Sequence, residues 1–367
     1  MQTNRRNWLK QLSIVTAGLS VGTLKTFGST SPIYLKKSNQ GAPVILRSNE
    51  NPYGPSPLAR LAMADHINSS NRYNWDLGSE LITALAKKNA VAAGNILLGS
   101  GSTEILDLTV RFAAQQKGSF IIADPSYGYW TDTAQKLGLT KISVPLTADK
   151  KHDLPAILKA IKSNTRLIYL CNPNNPTGTV CEHDALVKFI AEATKKTLIL
   201  IDEAYIDYSG QESVCNLVQK NRNLVIAKTF SKIYGLAGAR VGYGIAHDST
   251  LERISQLQSW PNGGISVVSA AAALTSIQEE TFVRDIFFLN ETVKKYTIQQ
   301  LEQLNIKCIP SYSNFIYFSL ANYKKDFFAQ LKNNNIYGTK IYEEQGQWSR
   351  ITIGTMNEMQ QFIAALT

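Results

Sequence analysis

The sequence predicts an α/β protein: a large domain on a mostly parallel sheet flanked by helices, followed by a smaller α+β domain. Three observations carry this expectation. Short apolar runs recur between residues 95 and 227, and each ends in a cluster of polar or turn residues. Helical patterns such as "STEILDLTVRFAAQ" and "ALVKFIAEATKK" lie among them. After about residue 265 the pattern changes to a long helical stretch and then to "SNFIYFSL" and "SRITIGT", which read as strands. Buried strands alternating with helices make a parallel sheet covered on both faces.

In chain order, residues 1–30 stand apart. "NRRNWLKQLSIVTAGLSVGTL" puts paired arginines, Arg5 and Arg6, ahead of a weakly apolar stretch too short and polar for a stable membrane span. It resembles a twin-arginine export signal, with Asn4 where that motif favours Ser or Thr, and implies a periplasmic destination, the alternative being a basic tail on a cytoplasmic protein. Residues 31–60 are rich in Pro and Asn and are expected to form an arm near the small domain or the cleft. The large domain is expected over 61–265 and the small one over 266–367.

In the large domain, "NILL" runs into Gly99–Glu104, "SFIIA" into Asp124–Tyr127 and "RLIYL" into Cys171–Gly178. "TLILI" runs into Asp202–Tyr205, and "NLVIA" into Lys228–Lys232. Open α/β sheets bind ligands outside the carboxyl ends of their strands. All five clusters are therefore expected along one edge, as one site.

Bulk properties narrow the function. The chain has 367 residues and a formal charge of +10; the acid-free first 28 residues hold four of those charges, leaving about +6 without a dense basic block. That argues against nucleic-acid binding and suits small anionic ligands. The cysteines, Cys171, Cys181, Cys215 and Cys308, form no C-x-x-C pair, and four histidines give no metal-ligand spacing. They read as packed free thiols, with one disulfide open to an exported protein, and no metal is expected.

Each cluster alone is ambiguous. Ser102 and Thr103 open a helix, where backbone N–H groups and the dipole favour a phosphate, or where an ordinary cap would serve. Asp202 ends a buried strand, and an unpaired carboxylate there is costly. A protonated ring nitrogen would be one partner for it. Asn175 lies in a turn that its own chemistry explains, yet it can also donate to a ring oxygen. Tyr127 can pack at the rim or stack on a planar ring. Lys232, desolvated at such an edge, loses its proton more easily and becomes a nucleophile for an aldehyde. Thr229, Ser231 and Arg240 would supply hydroxyls and a cation for a phosphate. Together they ask for an aldehyde, a phosphate, a pyridinium nitrogen and a phenolate oxygen, the parts of pyridoxal 5'-phosphate.

"NENPYGPSP", "GSGSTEI", "NPNNPTG", "DEAY", "TFSKIYGLAGARVGY", "SNF" and "RITIG" follow one another in that order from about residue 43 onward. In this the chain resembles the histidinol-phosphate aminotransferases and their relatives among the class I/II, fold-type I pyridoxal-phosphate enzymes. The resemblance implies a Schiff-base and proton-shuttle role for Lys232, a ring-nitrogen role for Asp202, and ring-oxygen bonds from Tyr205 and Asn175. It places Tyr127 on the ring, with Ser102, Thr103, Thr229, Ser231 and Arg240 on the phosphate. Asn49, Asn175 and Arg350 would face the substrate. Tyr73 would reach a neighbour's site in a homodimer. The partners implied are an amino donor and an oxo acceptor. "RYNWD" stands where relatives have "RYPD", "PNGGISVVSA" replaces a commoner "PYN" pattern, and Lys340 occupies a segment that often carries a second arginine. A transaminase is the leading expectation, a lyase or decarboxylase on the same scaffold the alternative, and a non-catalytic binding module the third.

Overall fold

The computed structural model describes residues 42–73 and 75–367. The segment read as an export signal lies outside the described residues. The chain opens with β1 (Val44–Ile45), α1 (Pro57–His66), α2 (Trp75–Lys88), β2 (Ile96–Gly99) and α3 (Ser102–Ala113). There follow β3 (Gly118–Asp124), α4 (Thr131–Lys136), β4 (Leu139–Pro145), α5 (Leu154–Ala160), β5 (Thr165–Cys171), α6 (His183–Ala193), β6 (Leu198–Asp202), β7 (Leu224–Thr229) and β8 (Gly242–Ala246). The remainder is α7 (Asp248–Ser255), α8 (Val267–Ser276), α9 (Glu280–Gln303), β9 (Lys307–Ile309), β10 (Phe315–Ser319), α10 (Phe327–Asn333), β11 (Ile336–Tyr337), β12 (Ile341–Glu343), β13 (Trp348–Thr352) and α11 (Met356–Leu366).

All five apolar runs are strands of one seven-stranded sheet, in the order β2-β8-β7-β6-β5-β3-β4. Strands β3 to β7 are mutually parallel, and β8 runs antiparallel to both its neighbours. That geometry gives β2 the same direction as β7, so the cluster after β2 joins the others at one edge. Every residue of β6 is buried, and β5 is nearly so. This is why they read as continuous apolar runs rather than alternating ones.

The small sheet is antiparallel, in the order β12-β13-β10-β9. Val44 and Leu46 pack in its core with Phe318, Ile351 and Phe362, and β1 pairs in parallel with β11. The arm thus belongs to the small sheet, and its continuation carries Asn49 to the cleft.

Two details differ from the sequence expectation. The long helical stretch after residue 265 is two helices, broken at residues 277–279. Glu279 precedes α9 with non-helical backbone angles and accepts a hydrogen bond from Ser56 at the start of α1. The Ala-rich α8 packs on α1 and α2, and α2 packs on β2. It therefore sits with the large sheet, and the elements on the small sheet begin with α9 rather than at residue 266. All four cysteines are free thiols, so the disulfide left open by the sequence is absent.

Candidate active site

The carboxyl ends of the parallel strands border a cavity of about 790 Å³, closed on its other side by residues of the small sheet and the arm. Twelve of the thirteen residues singled out from sequence line it: Asn49, Ser102, Thr103, Tyr127, Asn175, Asp202, Tyr205, Thr229, Ser231, Lys232, Arg240 and Arg350. Lys340 lines it as well. Tyr73 does not; it is 72% exposed and lies in an aromatic cluster elsewhere.

Asp202 is the last residue of β6 and only 2% exposed. Its register neighbours are Cys171 of β5 and Ala227 of β7, small residues that let the carboxylate stay deep. It accepts hydrogen bonds from the Tyr169 hydroxyl and from the Ala204 N–H, both at 3.0 Å. Burial lifts its pKa to about 6, against the opposing pull of those bonds and of the Lys232 charge.

Lys232 follows β7, where the loop after Thr229 turns it back over the sheet edge. Its Nζ donates to the Ser48 carbonyl at 3.1 Å and lies 5.4 Å from the Tyr205 ring centre. Burial brings its pKa down to about 8, and the nearby Arg350 guanidinium pushes the same way; Asp202 and Glu50 oppose them. Near neutral pH a larger share of such an amine is uncharged than of a free lysine.

The Tyr205 hydroxyl receives the amides of Asn49 at 3.0 Å and Asn175 at 3.3 Å. Asn175 Oδ1 in turn accepts from Arg350 Nη1, while Arg350 Nη2 donates to the Arg47 carbonyl at 2.6 Å. Arg350 lies on β13 opposite Tyr317 of β10, and the buried side chain spans from the small sheet to the large one. Tyr127 forms part of the wall, its phenol pushed up to about 12 by burial and by the Asp202 charge.

At the other end, Arg240 Nη2 donates to Thr103 Oγ1 at 2.8 Å and to the Ser100 carbonyl at 3.2 Å. Thr229 and Ser231 share a hydroxyl contact of 2.9 Å, and Arg240 Nη1 lies 3.5 Å from Ser231 Oγ. Gly101, with φ +81°, is the residue before α3, and a Cβ there would sit 2.4 Å from Arg240 Nη2. A Cβ on Gly242 would sit 2.4 Å from the Ser102 nitrogen. Both glycines let a cation and a helix N-terminus close on the same small volume, as a phosphate cradle requires. With a deep carboxylate, an activated amine and this cradle in one cavity, the residues present fit pyridoxal phosphate.

Sequence reasoning missed Tyr169, Tyr129, Arg47 and Tyr342. Tyr169 had a signal: one tyrosine in an aliphatic strand needs a partner for its hydroxyl. Tyr129 donates to the Thr103 carbonyl at 2.7 Å, and Arg47 and Tyr342 line the cavity through placement that no local pattern announces.

The Lys232 environment gives a direct expectation. In cofactor-free protein, labelling of Lys232 by an amine-directed reagent, followed by peptide mass mapping, should rise with a midpoint near pH 8. Arg350→Gln should move that midpoint up and Asp202→Asn should move it down, since the two charges act in opposite directions on the amine. A midpoint above pH 10 in the wild type would contradict the geometry.

Comparison with known proteins agrees with this site. The family model for aminotransferases of class I and II matches residues 43–366. The histidinol-phosphate aminotransferase of Moorella thermoacetica is 34% identical over 334 residues, covering 88% of this chain and 84% of that protein. The histidinol-phosphate aminotransferase of Sinorhizobium meliloti, solved in complex with pyridoxal-5'-phosphate, superposes with a TM-score of 0.81 at 23% identity, over 94% of this chain and 98% of that one. L-threonine-O-3-phosphate decarboxylase of Porphyromonas gingivalis superposes with a TM-score of 0.74 at 23% identity, over 88% and 98%. The last two likenesses speak for the fold alone. With nearly its whole described length matched, the chain belongs to the class I and II aminotransferase family.

Proposed function

We propose that the chain is an aminotransferase that uses pyridoxal phosphate in this cavity. It moves an amino group between a donor such as glutamate and an oxo acid or oxo-alcohol phosphate, with L-histidinol phosphate as the first substrate to try. The carrying observation is that Lys232 and Asp202 line one cavity beside the Arg240 cradle. The name of the Moorella relative supports the substrate.

The cofactor supplies an aldehyde and an electron-withdrawing ring that stabilises negative charge on a carbon bonded to the amino nitrogen. Arg240, Thr229, Ser231 and the first turn of α3 would hold its phosphate. Asp202 would serve its ring nitrogen, Tyr127 its ring, and Tyr205 with Asn175 its ring oxygen. Lys232 would hold its aldehyde and serve as the base for the proton at the substrate's alpha carbon. Arg350 orients an anionic group of the substrate, with Asn49 at its side.

The wild-type protein with added cofactor should show a visible absorption band that Lys232→Ala lacks. Glutamate should shift that band to the amine form of the cofactor, and an oxo acid should restore it. Release of CO₂ or ammonia with no such shift for any amino donor would replace this reading by a decarboxylase or lyase.

The assembly is proposed to be a homodimer. Tyr73, Trp75 and Trp260 are 72%, 56% and 42% exposed and touch one another at ring-centre distances of 4.9 to 5.8 Å. Clustered exposed aromatics mark an association surface. Trp75→Asp/Trp260→Asp should sediment as a monomer and lose activity; a dimer of unchanged strength would count against this surface.

Export through the twin-arginine route is proposed from residues 4–24 alone. Cell fractionation should find the protein in the periplasm and should find Arg5→Lys/Arg6→Lys retained in the cytoplasm. A cytoplasmic location for both would end the proposal.

A further inference from the structure

We propose that Tyr342 is a specificity-determining residue of the cavity, set in place by a β-bulge and held there by a clamp from Lys150 to Glu343. The inference rests on the aminotransferase reading above and adds a residue and its support to it.

Between β12 and β13, Ile341 pairs with Ser349 and Glu343 pairs with Trp348. Two steps on one strand meet one step on the other, so Tyr342 is the extra residue of a bulge. Bulges near active sites re-aim a side chain that the pleat would send elsewhere. Tyr342 lines the cavity, half-buried. Its ring centre is 5.5 Å from the Arg350 guanidinium carbon and 5.7 Å from Lys340 Nζ. One ring thus supports two of the cations that the cavity offers to an anionic substrate. The Arg350 plane is held by this ring and by Phe315, whose centre is 5.3 Å away.

The next residue fixes the bulge. Glu343 accepts from Lys150 Nζ and from the Tyr317 hydroxyl, each at 2.7 Å. Lys150 Nζ also lies 5.0 Å from the Trp348 ring, which stacks on Tyr317 at 5.2 Å and 15°. Lys150 comes from the other side of the cleft, in the turn after β4, and has φ +63°. That region favours glycine, so a lysine there points to a use for its side chain. Its carbonyl accepts from Thr179 Oγ1 at 2.6 Å, just beyond the turn that carries Asn175. The clamp therefore ties the Asn175 wall to the Tyr342 wall. Removing the ring frees Lys340 to reorient and takes one face of its support from Arg350, and a phosphate-bearing substrate should suffer more than a short dicarboxylate.

The test uses the cofactor-loaded protein and compares half-reactions with L-histidinol phosphate and L-glutamate. Tyr342→Ala should lower the kcat/KM ratio of the first to the second by roughly tenfold, mostly through KM, with the cofactor band unchanged. Tyr342→Phe should keep the wild-type ratio, because the ring and not the hydroxyl supports the cations. Lys150→Gly, which suits the local φ, should shift the ratio the same way by a smaller factor. Lys150→Gly/Tyr342→Ala should match Tyr342→Ala alone, since the clamp acts through the ring. An unchanged ratio in Tyr342→Ala, effects that multiply in the double variant, or loss of the cofactor band in Lys150→Gly would each overturn the inference. A wild type that converts neither compound overturns the aminotransferase reading, and this inference with it.

Discussion

The constraint on which the site depends is the burial of opposite charges at one sheet edge. Asp202 sits 2% exposed and is driven up to about pKa 6, chiefly by desolvation. Lys232 is driven down to about 8 for the same first reason. Asp202 holds its proton more tightly in the folded chain than in the unfolded one. Its contribution to stability is therefore full below pH 4, falls between about pH 4 and 6, and is gone above that. Keeping the carboxylate ionised at neutral pH costs on the order of 3 kcal/mol. Tyr169 and the Ala204 N–H offset part of this cost without removing it. A cationic ring nitrogen against Asp202 would offset more.

The frame that holds these charges is stiff. Asp202 and Thr229 end adjacent strands, β6 and β7, and a pair beside them, from Lys228 Nζ, which precedes Thr229, to Glu203 Oε2, which follows Asp202, pins the two strand ends together at 3.0 Å. Glu203 also accepts from Ser213 Oγ and the Val214 N–H. Such a pair adds little net stability once desolvation is counted, but removing one partner would leave a buried charge. The carboxylate, the hydroxyl of Thr229 and the amine of Lys232 are therefore placed by backbone that has little freedom to shift. Precision of this order is what proton transfer and phosphate binding need.

Much of this was legible in the sequence because it is local. A buried parallel strand announces itself as an apolar run, and its carboxyl end as the polar residues that follow. Five such junctions gave the edge and most of the cavity lining. What stayed hidden is what depends on distant contacts. β8 carries Gly242 and Gly244, which propensity counts against a strand, although close approach of α3 demands at least the first. At the break before α9, Glu279 meets Ser56, more than two hundred residues away in sequence. Tyr342 enters the cavity because of a one-residue register slip, which no side-chain pattern in "KIYEEQGQ" encodes.

The two sheets divide the labour, and the division has a physical basis. Residues proposed to hold the cofactor come from strand ends and loops of the large sheet, where alternatives would strand a buried charge or close the phosphate cradle. Residues proposed to face the substrate come from the arm and the small sheet: Asn49, Lys340, Tyr342 and Arg350. Of these only Arg350 and Asn49 are locked into bonds across the cleft, through Asn175 and Tyr205. Beside Tyr342, Glu343 meets the other side of the cleft through the Lys150 clamp. Changes there can alter what is bound at the cavity's outer wall without disturbing Asp202 or Lys232. Lys340 there is a point charge that relies on the neighbouring ring to fix its position.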